Sequence, residues 1–170
     1  MRTVERGGDY FRVCDPSWAD PCDPTFSAKA GGRWNAPGSF PVLYLSADRD
    51  TARANARRNF EGEAFTVFDL NPTARPHLQD VVVSTCRPAD AVSDAGLLAL
   101  GLPTTYPKGV GHEVCQPIGA AVRRAGHPGI ACRSAAHEGG EELALMDQDA
   151  IAGRKKRYVF DEWFLRDPDP

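Results

Sequence analysis

An Arg and a Trp stand together in GGRWNAPG, residues 31–38, inside a frame of glycines, Asn and Pro. Glycine lets a backbone come close to a ligand, and the planar five-donor fork of Arg33 suits a pyrophosphate or a carboxylate. The same residues also describe a loop in which Arg33 binds carbonyls while Trp34 plugs the edge of a core. Composition alone leaves both readings open. Elsewhere an Arg lies on the first predicted strand (Arg12 in DYFRVC), a Tyr follows Arg33 on the next strand (Tyr44 in PVLYLSA), and Ser134 follows GIACR. His112, His127 and His137 fall in separate loops or helix ends without metal-ligand spacing, so surface or capping roles are expected and no metal site is predicted. His112 and Glu113 follow the Gly-rich TTYPKGVGH at a helix start, a position from which they could face a cleft.

The elements that must position these residues are short. Strands are predicted at 9–14, 42–45, 64–70 (AFTVFDL), 81–85 (VVVST), 129–135, 141–147 (EELALMD) and 157–165 (RYVFDEWFL). Residues 15–32 read as a long irregular connection. Helices are predicted at 48–60, with Asp48 or Asp50 as cap, at 88–100, with Pro at the front and Gly101 behind, and at 113–126, with Pro117 in the first turn. Short strands with a few interspersed helices predict one α+β domain over residues 1–170, its core about 10–165, its tail RDPDP frayed.

Composition narrows the function classes. The chain has 170 residues, 42% hydrophobic and 25% charged, with a formal charge of −3. That balance argues against wholesale binding to nucleic acid or anionic membrane, and GRKKR (153–157) reads as a solvated turn. No apolar run approaches a membrane span, and MRTVERGGDY lacks the apolar core of a signal peptide, so the cytoplasm is expected. The five cysteines are scattered without a Cys-x-x-Cys pair, as expected for thiols in a reducing compartment.

Taken in order, FRV, GGRWNAPG, VLYLSA with an Ala-rich helix behind it, and AGHPGIACRSAAHEGGEELALMD resemble the RES-domain family, the NAD-consuming toxins of a bacterial toxin–antitoxin class. The matching segments span roughly residues 10–147. The resemblance implies an ADP-ribosyltransferase-like fold, a split, mixed and mostly antiparallel sheet with a few flanking helices and NAD in the cleft. It implies cleavage of the nicotinamide–ribose bond with phosphate or water as acceptor, and an antitoxin or a second copy of the chain as protein partner. On this reading Arg12 and Arg33 hold the pyrophosphate. Gly32, Trp34 and Asn35 line the ligand, Tyr44 meets the nicotinamide, and Ser134 orients its amide or a ribose hydroxyl.

One position departs from the family. Where its members carry Glu on the helix behind the Tyr strand, this chain has Asn55, which keeps hydrogen bonds but supplies no charge. Asn55 is therefore expected in the cleft with no carboxylate beside it. Losing such a contact commonly costs about a hundredfold in rate. Glu113 and Glu138, then Glu61 and Glu63, are the acids that could substitute, and a weak domain that only binds NAD or ADP-ribose is the alternative. HEGGEE (137–142) otherwise reads as a turn with solvated acids. Tyr44 and Ser134 are expected on adjacent strands, with the Tyr44 ring facing ligand so that Tyr44→Ala leaves the fold intact.

Overall fold

Short β-branched and aromatic runs separated by turn residues assemble into one seven-stranded sheet in the computed structural model, which describes residues 1–165. The chain runs β1 (Arg6–Cys14), α1 (Thr25–Ala30), β2 (Leu43–Ser46), α2 (Arg49–Arg58), β3 (His77–Cys86), β4 (Ala89–Ala91), α3 (Asp94–Ala99), α4 (His112–Arg124), β5 (Gly129–Arg133), β6 (Glu141–Leu145) and β7 (Ile151–Tyr158). The sheet order is β4-β5-β6-β2-β1-β3-β7, with β4 and β5 parallel and the other neighbours antiparallel. The α+β class with a split, mixed sheet and few helices is borne out. The split lies between β1 and β2, whose only paired position is Phe11 opposite Ser46. Twisted strands joined by one rung diverge, and that divergence opens a cleft.

The helices lie where small residues allow close approach. Asp48 caps α2 by accepting from the Thr51 N–H at 2.7 Å, and Ala52 and Ala56, one turn apart, are wholly buried. On α4, Cys115, Gly119 and Val122 face the core. Gly119 meets the Trp34 carbonyl so closely that no Cβ fits there. Pro117 stands inside α4, beyond the first turn expected for it. One core gathers Trp34, Tyr106, Val122 and Ile130, a second lies around Leu43, Leu45 and Leu143, and a third joins α2 to Phe160, Trp163 and Phe164.

Four predicted elements differ. Residues 64–70 form no strand. The Asp69 carboxylate takes the Thr66 N–H and hydroxyl, and this local capping box winds Val67–Asp69 into a 3-10 turn. Residues 88–100 divide because Asp90 accepts from the Val92 and Ser93 N–H groups, ending β4 before Ser93 caps α3. The last strand is 151–158, so GRKKR lies on β7 and is no turn, while Asp161–Leu165 coils to bury Trp163 and Phe164. The irregular stretch 15–32 contains α1. The tail at 166–170 lies outside the described residues. Among the described residues, no helix is long and apolar enough to cross a membrane, and no cluster of three metal-ligating side chains occurs.

Candidate active site

The cleft at the β1/β2 split is a cavity of about 450 Å³. Arg12 enters it from β1, where Nη1 donates to the Tyr44 carbonyl at 3.0 Å, bridging the two halves of the sheet. Its Nε is buried with no partner, and no carboxylate lies within ion-pair distance of Arg12 among the described residues. Burial pushes this guanidinium below its ordinary value, though Arg remains charged. A half-buried guanidinium that has the Trp18 ring 5.6 Å away but no carboxylate partner favours an anionic guest.

Arg33 reaches the same cavity from the Gly-rich loop. Its Nη1 donates to the Val110 carbonyl at 3.0 Å and its guanidinium lies 6.0 Å from the Tyr106 ring centre. Trp34 is fully buried and donates through Nε1 to the Cys132 sulfur at 3.4 Å. The structural reading of GGRWNAPG holds, in that Trp34 plugs the core and Arg33 binds a carbonyl, while Arg33 also lines the cleft. Asn35 is also fully buried and serves the loop itself. Its amide donates to the Ser27 and Phe40 carbonyls, and its Oδ1 accepts from the Tyr44 hydroxyl at 2.7 Å. That hydroxyl in turn accepts from the Trp34 N–H at 2.9 Å. Tyr44 thus lines the cleft with its ring and holds the loop with its oxygen. Burial raises its phenol far above the usual range, so it stays protonated. Gly32 lies against this ring, where a Cβ would come within 2.5 Å of the hydroxyl.

A carboxylate stands where none was expected. β6 lies between β2 and β5, so Tyr44 and Ser134 are not on adjacent strands, and β6 places Glu142 opposite Ser46 of β2. Glu142 Oε1 accepts from Ser134 Oγ at 2.6 Å and from Asn55 Nδ2 at 2.9 Å. Asn55 lines the cavity from α2, as expected, but with Glu142 beside it. Ser134 is buried behind Glu142, and its Oγ also accepts from the N–H groups of Ala136 and His137. His137 ties this turn to α2 through a 3.0 Å contact between Nδ1 and Thr51 Oγ1. The neighbouring Glu141 points to the other face and pairs with Arg6 of β1. Of the acids named as substitutes, Glu113 and Glu63 are exposed, Glu138 pairs with Lys108, and Glu61 faces Arg58 at 3.8 Å. None lines the cleft.

The remaining wall is basic and aromatic. Arg58 of α2 and His112, the first residue of α4, line the cavity beside Arg33. Partial burial, then Arg33 and Arg58, push the His112 imidazole below its ordinary value, so it is neutral near pH 7. Trp18 and Phe26 lie at the cavity, their rings 5.8 Å apart, with Phe26 60% exposed.

A model of the RES domain matches residues 9–167. The chain belongs to the RES-domain family. It is also similar to a chain of the crystal structure of the M. tuberculosis MbcT–MbcA toxin–antitoxin complex, with a TM-score of 0.79 and 18% identity over 96% of this chain and 92% of that one. At that identity the likeness shows a shared fold. No curated protein matches the chain. Within this RES domain the structure brings Arg12, Gly32, Arg33, Trp34, Tyr44 and Asn55 to one cavity, with Asn35 and Ser134 supporting it from behind. Sequence reasoning missed Glu142, Arg58, Trp18 and Phe26. The position of His112 after a Gly-rich loop was the one legible signal among the additional lining residues.

Proposed function

We propose that this RES domain consumes NAD, cleaving the bond between nicotinamide and ribose with phosphate or water as acceptor. The observation that carries the reading is the charge layout of one cavity: Arg12, Arg33 and Arg58 share it with a single acid among the described residues, Glu142, and none of the three pairs with that acid. NAD has the matching pattern, an anionic pyrophosphate joined to a cationic nicotinamide riboside. Fixed guanidinium forks suit the pyrophosphate, and the N-terminus of α4 adds a favourable dipole. Trp18 and Phe26 offer flat faces to a base. Similarity to a chain from a toxin–antitoxin complex supports a toxin-like role with a cognate antitoxin partner.

Calorimetric titration with ADP-ribose, joined to growth and NAD measurements in bacteria expressing the protein, tests the proposal. Micromolar-range binding, slowed growth and a falling NAD pool are expected. Absence of any ADP-ribose binding would overturn it. Asn55 in place of the family's Glu favours a second reading, a domain that binds NAD without turning it over; tight binding with an unchanged cellular NAD pool would select that one.

A further inference from the structure

Glu142 is oriented at the cavity wall by hydrogen bonds and not by an ion pair. Its Oε1 takes two neutral donors, Ser134 Oγ and Asn55 Nδ2, while Oε2 accepts no hydrogen bond among the described residues. No Lys, Arg or His lies within 4.0 Å of it among the described residues, although three arginines line the same cavity. Glu142 is half-buried, and an acid withdrawn from water normally acquires a cationic partner. Here the charge is oriented by three elements, β6 beneath it, the turn after β5 through Ser134, and α2 through Asn55, and is left facing the cavity. A cationic guest completes the arrangement.

We infer that Glu142 is the catalytic carboxylate of this cavity, with Asn55 and Ser134 as its positioning residues, so that the negative charge reaches the site from β6 and not from α2. The inference rests on the NAD-cleavage reading. In the step, the bond between ribose C1′ and the nicotinamide nitrogen breaks, and its electron pair leaves with nicotinamide, which departs neutral. The positive charge left on C1′ is shared with the ring oxygen and stabilised by the Glu142 carboxylate, which also accepts a hydrogen bond from a ribose hydroxyl. A lone pair of phosphate or water then adds to C1′, and added water releases one proton to solvent. Glu142 is unchanged at the end. Asn55 supplies an N–H where a second carboxylate would repel the first.

Glu142→Gln keeps shape and Oε1 and removes only the charge. Turnover in nicotinamide release is expected to fall about a hundredfold or more, with KM and ADP-ribose affinity within a few-fold of wild type. Asn55→Glu alone, which sets two carboxylates side by side, is expected to give no gain. The exchange N55E/E142Q restores one carboxylate and one amide and is expected to recover at least about tenfold over E142Q. Wild-type release that survives E142Q in a folded protein overturns this assignment alone. A wild type that releases no nicotinamide overturns the cleavage reading and this assignment with it. Should E142Q not fold, Glu142→Asp decides: a folded E142D protein, its carboxylate drawn back from the cavity, that releases nicotinamide at the wild-type rate contradicts the inference.

Discussion

At the scale of single residues the cavity separates two kinds of work. Arg33 offers a fork of which one nitrogen is spent on the Val110 carbonyl. Arg33→Lys cannot hold that carbonyl and a diphosphate together, so ADP-ribose affinity should drop at least about tenfold by calorimetry; unchanged affinity would place the anion elsewhere. His112 reports on the same spot. Its imidazole is pushed down by burial and by Arg33 and Arg58, so between the folded and the ordinary value the unfolded chain binds more protons. Stability from this group is therefore present above the ordinary pKa near 6.5 and is lost as pH falls below it. A bound pyrophosphate offsets the arginine charges, so ADP-ribose should raise the His112 midpoint in an NMR titration. A midpoint that stays put argues against an anion at this wall.

At the scale of elements, the loop 31–38 and β2 form one unit through the Tyr44 hydroxyl. Tyr44→Phe leaves the Trp34 N–H and Asn35 Oδ1 without that partner, at a cost of about 1–3 kcal/mol. Tyr44→Ala should destabilise further, contrary to the expectation from sequence that the ring serves ligand alone; thermal melting of the two variants against wild type checks this. That expectation shows where sequence reading stops. The types of β1, β2, α2, α4 and β5 were legible because their periodicity and caps are local, whereas Arg12, Arg33 and Asn55 were placed at one cavity through the family resemblance. Strand order was not legible. Nothing in EELALMD announces that β6 inserts between β2 and β5, and without that insertion Glu142 looks like one more solvated acid in HEGGEE. Trp18 and Phe26 were hidden for a related reason: they sit in a stretch without periodicity, and only the folded chain brings them together.

At the scale of the whole molecule, charge and thiols are arranged for a solitary edge and a closed core. β7 is an edge strand, and its basic run is largely consumed: Arg154 pairs with Asp20, Lys155 with Asp9, Lys156 with Glu162, and Arg157 binds the carbonyls of Asp15, Pro16 and Trp18. Charged side chains on an edge also discourage pairing with another chain. Duplex DNA should therefore bind weakly, without the steep salt dependence of a basic patch, which fluorescence anisotropy measures. Cys14, Cys22, Cys115 and Cys132 are buried, Cys86 is half-buried, and burial raises all five thiols. A thiol reagent at pH 7.5 should label at most one site quickly in the native protein and all five after denaturation. The split sheet, the arginines of the cleft and the oriented carboxylate are the grounds for the proposed removal of nicotinamide from NAD. The direct measurement is free nicotinamide and product mass after incubating purified protein with excess NAD, in phosphate and in phosphate-free buffer. Several nicotinamides per protein are expected, with ADP-ribose alone in phosphate-free buffer and its 1″-phosphate appearing if phosphate is the preferred acceptor; NAD recovered intact in both buffers would contradict the reading.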